Sequence, residues 1–249
     1  MSATKVKPNA SHKDRICLAL DLNDEAQILA AVDAFKEHVG YFKLNSAFTL
    51  FGPDLVQKIL ARGGKIFLDL KLHDIPNTLS GYGEAMVRLG VHIVTVHISG
   101  GSEMLEEFVR SAKQAAGQLK KPRPKLIGIT VLTSIGRSVM NAEVGIEGTV
   151  EDEVLRKARI AASAGLDGIV CSAGELEFIR PHLPQGFLLV TPGVRPEGSG
   201  KDDHQRVYTY ADAVKGGSGL LVVGRSVLNA KNPDLAIAEI YSALEAANA

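Results

Sequence analysis

The sequence predicts a single (β/α)8 barrel, of the TIM-barrel class. Three observations carry that reading. Short apolar runs alternate with amphipathic stretches along the chain, and β-then-α alternation implies a parallel sheet. Eight such pairs fit within 249 residues, close to the roughly 250 typical of a closed barrel. The stretch LALDLND at the first strand lacks the glycine fingerprint that a doubly wound sheet places there.

The first strand is read over 16–21 (ICLALD), and Ile28, Leu29, Val32 and Phe35 space a helix over 24–39. The second strand spans 41–45 (YFKLN) and precedes a helix over 53–62. The third, 65–71, lies in KIFLDLKLHD, followed by a helix over 77–89. IVTVHIS supplies the fourth strand, 93–97, with its helix over 103–116. The remaining pairs are 125–130 with 153–164, 168–171 with 175–180, 187–191 with 210–215, and 219–223 with 233–246. KKPRPK at 120–125 and the polar stretch 195–206 are flanked by the same alternation, so both read as loops within one domain. KKPRPK reads as a solvated turn before a strand rather than a localisation signal. The organisation is therefore a polar N-terminal tail, 1–13, and a barrel over 14–249.

Composition narrows the function. Hydrophobic residues make up 45% and charged residues 22%, as in ordinary globular proteins, which excludes disorder and fibrous repeats. Lys+Arg and Asp+Glu both number 28, so the chain lacks the basic excess of a nucleic-acid binder. Its apolar runs fall far short of the about 20 residues a membrane helix needs, so no membrane association is expected. Residues 1–15 contain no apolar core of a secretory signal, and Cys17 and Cys171 sit in apolar runs as small core residues. A soluble cytoplasmic chain is expected.

Barrel strands are buried on both faces and should be almost wholly apolar. Four of these break the rule in one way. Period-two alternation puts Ile66, Leu68, Leu70 and Leu72 on one face and Asp69 and Lys71 on the other. Asp21 lies opposite Leu18, Leu20 and Leu22; Lys43 lies opposite Phe42 and Leu44; His97 lies opposite Val94, Val96 and Ile98. Each strand thus aims a polar group inward at its C-terminal end, where barrel enzymes build their sites. A structural ion-pair network is the competing reading for the four charges, but buried pairs often gain nothing over apolar packing. His97 alone reads better as a structural group.

The loops after strands 7 and 8 of a barrel frequently bind phosphate. Here they read TPGVR, ending at Arg195, and VGRS, with Gly224 and Arg225. Glycine admits close approach of backbone N–H groups to an anion, and arginine adds a planar charged fork. The long polar stretch RPEGSGKDDHQR at 195–206 suits a lid that folds over a ligand.

The segment DLKLHDIPNT resembles the signature of orotidine 5′-phosphate decarboxylase, bacterial type. The resemblance extends over nearly the whole chain, through LALDL, FKLN, ITVLTS, TPGVRPEGSG and VVGRSV in order. It implies decarboxylation of orotidine 5′-monophosphate to UMP and CO2, the last step of de novo pyrimidine synthesis, with no metal and no cofactor. It implies that Lys71 donates a proton to C6, that Asp69 and Asp74 flank it, and that Lys43 completes the charge array. Asp21 and Lys43 would hold ribose hydroxyls, and Thr133 would sit near the pyrimidine. The segment of Ile75, Pro76, Asn77 and Thr78 would also line the substrate site. Arg195, Gln205, Gly224 and Arg225 would grip the phosphate. In that family the equivalents of Asp74 and Thr78 reach the neighbouring subunit's site, which implies a homodimer with shared active sites. The family pattern has Asp directly before the phosphate-binding Gln. Here His204 separates Asp203 from Gln205, leaving both His204 and Gln205 as candidates. Two alternatives stay open. Metal-dependent 3-keto-gulonate-phosphate decarboxylases and hexulose-phosphate synthases share the Asp-x-Lys-x-x-Asp strand, although DIPNT, LTS and PGVRP favour the orotidylate reading. A catalytically silent phosphate-binding barrel would leave Lys71 and its carboxylates without purpose.

Overall fold

Eight parallel strands close into a barrel in the computed structural model, which describes residues 10–196 and 208–246. They are β1 (Ile16–Ala19), β2 (Tyr41–Leu44), β3 (Ile66–Leu72), β4 (Ile93–His97), β5 (Lys125–Ile129), β6 (Gly168–Val170) and β7 (Leu188–Thr191). After the short pair β8 (Val194–Arg195) and β9 (Tyr208–Thr209) comes the eighth stave, β10 (Leu220–Val223). It pairs with β7 on one side and β1 on the other, which closes the sheet.

The alternation read from sequence sorts the apolar residues into two sets. Cys17, Ala19, Phe67, Ile93, Ile127, Val190, Leu220 and Val222 fill the barrel interior. Ile16, Leu18, Ile66, Leu68, Val94 and Val96 face outward under the helices. Cys17 and Cys171 are both buried, as core residues should be.

The helices are α1 (Ala10–Lys13), α2 (Glu25–Phe35), α3 (Ser46–Ala61), α4 (Pro76–Leu89), α5 (Ser102–Leu119), α6 (Arg137–Ala142) and α7 (Val150–Ser163). Then follow α8 (Leu176–Ile179), α9 (Tyr210–Lys215), α10 (Arg225–Leu228) and α11 (Pro233–Ala246). Local chemistry sets their ends. Asp24 caps α2 by accepting the Gln27 N–H, Pro76 opens α4, and Gly90 closes it at φ 80°. Thr149 caps α7, whose first turn carries Glu151, Asp152 and Glu153 against the positive end of the helix dipole.

Several boundaries differ from the sequence reading. The helix expected over 53–62 does open at Pro53, but α3 also includes a helical stretch from Ser46 that the sequence reading lacks, set off from it by the non-helical Gly52 (φ 61°). The expected polar tail over 1–13 ends in the helical turn α1. There His12 is buried, with its ring 6.4 Å from that of Tyr241; residues 1–9 lie outside the described residues. The 120–125 turn is anchored rather than fully solvated. Arg123 donates to both carboxylate oxygens of Asp167, Nη1 at 2.8 Å and Nη2 at 2.6 Å. Among the described residues no helix is long and apolar enough to cross a membrane.

One irregularity shapes the site. Leu68 pairs with Val94 and Leu72 with Val96, so β3 carries two more residues than β4 over the same rise. Within that bulge Lys71 adopts φ 50°, the left-handed region, which costs a non-glycine residue about 1–2 kcal/mol.

Candidate active site

Strand parity places the charges. Cys17 and Ala19 face inward on β1, so Asp21, two residues further, opens onto the C-terminal mouth. Lys43 on β2 and Asp69 on β3 take the same inward positions. The Lys43 ammonium lies 3.4 Å from both Asp21 Oδ1 and Asp69 Oδ2. Lys71 Nζ donates to Asp69 Oδ2 at 2.8 Å. The four side chains therefore alternate in sign along a continuous row.

Thr95 of β4 completes the row. Its hydroxyl donates to Asp69 Oδ1 at 2.9 Å and accepts the Lys71 backbone N–H at 2.9 Å. It takes the place of the ladder partner that the bulge removes. Burial opposes ionisation of Asp69, but Lys43, Lys71 and the hydrogen bonds from Lys71 and Thr95 outweigh it and hold the carboxyl below its ordinary range. Burial likewise opposes the Lys43 ammonium, and Asp69 and Asp21 overcome it, holding its pKa above that of ordinary lysine.

These groups form one end of a cleft of about 980 Å³. Its walls include Ile129, Val131, Leu132 and Thr133 from the end of β5 and its loop. Pro192, Gly193 and Arg195 after β7, and Gly224, Arg225 and Ser226 after β10, line it as well. The turn at Gly193 requires φ 74°, which favours glycine. Tyr210 of α9, buried, donates to Ser226 Oγ at 3.2 Å and so braces the turn that carries Arg225. The cleft thus joins a charge row to two arginines, a shape suited to a ligand with an anionic tail.

Residues 14–240 match the model of the "Orotidine 5'-phosphate decarboxylase / HUMPS family". The chain is 44% identical to the orotidine 5′-phosphate decarboxylase of Moorella thermoacetica, covering 94% of this chain and 93% of that protein. It is 43% identical to the enzyme of the same name from Vibrio cholerae, covering 92% and 98%. The chain belongs to this family. A crystal structure of orotidine 5′-phosphate decarboxylase from Lactobacillus acidophilus superposes with a TM-score of 0.80 at 33% identity, covering 93% of this chain and 99% of that one. The single barrel expected from sequence is thus the architecture of the family.

Of the expected site residues, Asp21, Lys43, Asp69, Lys71, Thr133, Arg195, Gly224 and Arg225 all line the one cleft. The 74–78 segment does not. Asp74 accepts the Ile75 N–H at 2.7 Å and stands exposed on the rim. Ile75 is 65% exposed, and Pro76, Asn77 and Thr78 open α4 beside it, outside the cleft of their own chain. Asp74 is therefore no part of the row around Lys71 within one chain. His204 and Gln205, with most of the expected lid, lie outside the described residues.

Sequence reasoning missed Thr95, although the signal was present: it is a polar residue at an inward position of IVTVHIS. His97 is half-buried, with its ring 5.6 Å from that of His73. Burial first, then His73, Lys157 and Lys71, hold its pKa below the ordinary histidine value.

Proposed function

We propose that the chain converts orotidine 5′-monophosphate to UMP and CO2 without a metal or organic cofactor, as the last step of pyrimidine biosynthesis. The observation that carries the proposal is the row of Asp21, Lys43, Asp69 and Lys71 in the same cleft as Arg195, Gly224 and Arg225. Loss of CO2 breaks the bond from C6 to the carboxylate and leaves the electron pair on a vinylic carbon, with no carbonyl placed to delocalise it. Comparably slow reactions need on the order of 20 kcal/mol of barrier reduction. A fixed ammonium next to C6 stabilises that developing charge more strongly in a dry cleft than in water. Lys71 then gives its proton to C6 and regains one from solvent.

The neighbours keep Lys71 ready for this role. Asp69, held ionised, accepts from the Lys71 ammonium at 2.8 Å and fixes its place in the row. Lys43 and Asp21 hold the ribose hydroxyls, and Thr133 lies along the ring. Arg195 and Arg225 take the phosphate together with Gln205 or His204. Binding energy from that remote group contributes to rate where it orders the charge row. The exposed segment of Asp74, Ile75, Pro76, Asn77 and Thr78 completes the site of a neighbouring subunit in a homodimer. That arrangement accounts for an apolar, 65%-exposed Ile75 beside an acidic residue. We place the enzyme in the cytoplasm.

The test follows ultraviolet absorbance as the protein consumes orotidine 5′-monophosphate in excess EDTA. UMP and CO2 as products are expected. A folded sample that turns over only after magnesium is supplied, or only on sugar phosphates, would overturn the proposal.

A further inference from the structure

Behind the cleft wall lies a second buried charge cluster that the mechanism above does not use. Lys157 and Glu153, one turn apart on α7, are each only 5% exposed. Lys157 Nζ donates to Ser99 Oγ at 3.0 Å and to the Thr130 carbonyl at 3.1 Å, and lies 3.4 Å from Glu153 Oε1. Arg156 covers the same Glu153 carboxylate from outside, through Nε at 2.6 Å and Nη2 at 2.8 Å. The Thr130 hydroxyl in turn donates to the Val170 carbonyl at 2.7 Å.

Stability alone gives little reason for this cluster. A buried ion pair is often no better than apolar packing of the same volume. An apolar side chain, however, cannot hold a carbonyl in place. Thr130 is the first residue beyond β5, and Ser99 lies in the short turn Ile98–Gly100 beyond β4. The ammonium therefore fastens the C-terminal ends of two adjacent staves, and the Thr130 hydroxyl fastens the second of them to β6. Three residues after Thr130 comes Thr133, with Val131 and Leu132 between them in the cleft wall.

We propose that Lys157 is a positioning residue for ring recognition. It sets the base of the 131–133 wall and so fixes Thr133 against the pyrimidine, without touching substrate itself. This rests on the functional reading above, in which Thr133 lies along the ring.

The experiment compares two ligands that share sugar and phosphate but differ in the ring: UMP and ribose 5-phosphate. In Lys157→Met, UMP affinity should fall about tenfold, the scale of one charge-assisted hydrogen bond, while ribose 5-phosphate changes less than about twofold. Ser99→Ala, which deletes a single hydroxyl and keeps the fold, should shift the same ratio in the same direction by about threefold. It decides the matter if the Met variant does not fold. A purely structural role would lower the melting temperature or weaken both ligands alike. Either an unchanged ratio or equal weakening would overturn the inference. Wild-type protein that binds UMP no better than ribose 5-phosphate would instead overturn the reading of the site, and this inference with it.

Discussion

Thr95→Val tests whether the charge row is held by the barrel or by one hydroxyl. Valine preserves the shape of a fully buried side chain and removes two hydrogen bonds, one to the Asp69 carboxylate and one from the Lys71 backbone. A bond to an ionised group is worth about 1.5–3 kcal/mol, and an N–H left unpaired costs about 1–3 kcal/mol. The two share a site and do not add fully, so a stability loss of about 2–4 kcal/mol is expected. For a chain of this size that lowers Tm by roughly 4–16 °C. Activity should fall further than stability explains. Without Thr95 the Lys71 backbone N–H loses its partner, so Lys71 relaxes from φ 50° and its ammonium moves relative to C6. A loss of about 10- to 100-fold in kcat/KM, or about 1.4–2.8 kcal/mol of transition-state stabilisation, is expected at temperatures where the variant is folded. Thr95→Ser keeps the hydroxyl and should recover most of it. The assay is decarboxylation followed by ultraviolet absorbance beside a thermal melt. A valine variant with Tm lowered but kcat/KM within about twofold of wild type would refute the reasoning, because the row would then hold without its hydroxyl.

Three further outcomes follow from the same geometry. Lys71→Ala and Lys71→Gly should both abolish turnover; the glycine variant should melt no lower than the alanine one, although glycine within a strand ordinarily costs about 0.5–1 kcal/mol, because φ 50° suits it. Arg225→Ala should lower kcat/KM, and free phosphite should partly restore turnover of a substrate lacking the phosphate; a complete absence of rescue counts against phosphate-driven ordering. Asp69 titrates below 3.8 in the fold, so it contributes stability above that pH which disappears as pH falls through its folded value. Lys43 titrates above 10.5, so its contribution is present below that pH and is lost as pH rises through the higher folded value. Urea midpoints across pH should therefore flatten at the acid end in Asp69→Asn and at the alkaline end in Lys43→Met, and unchanged slopes would refute the assignment.

How much was legible in the sequence depended on the period of each signal. Strand parity is a two-residue pattern, so Asp21, Lys43 and Asp69 could be aimed into the barrel from letters alone. The bulge in β3 could not. It arises from how β3 meets β4 after Leu68, a relation between residues about 25 apart, and no local run in KIFLDLKLHD announces it. Parity alone makes Thr95 legible as an inward polar residue, but not its bonds, since Asp69 and Lys71 belong to the neighbouring strand. Lys157 was hidden differently, since a lysine on an amphipathic helix reads as solvated unless the ends of β4 and β5 are known to lie over it. Gly52-Pro53 reads correctly as a helix boundary, and what the letters hide is the short helical stretch Ser46 opens before it, too brief to show a helical period.

The bulge and the charge row explain one another. On a regular strand Asp69 and Lys71 would stand about 7 Å apart along one face, each paired in the ladder. Leaving the ladder gives up regular pairing at the mouth of the barrel and stores strain at Lys71, a position where residues elsewhere in β3 have none. In return the ammonium folds back to 2.8 Å from Asp69 while remaining on the cleft wall. Such a site is stable only because its members are mutually dependent. Lys43 is charged because Asp69 and Asp21 are, and Asp69 because Lys43 and Lys71 are. Removing any one charge takes one of two counter-ions from a buried neighbour, Lys43 or Asp69, so each single loss costs more than its own contacts. The row therefore behaves as one unit, and the two hydrogen bonds of Thr95 hold that unit at its strained end.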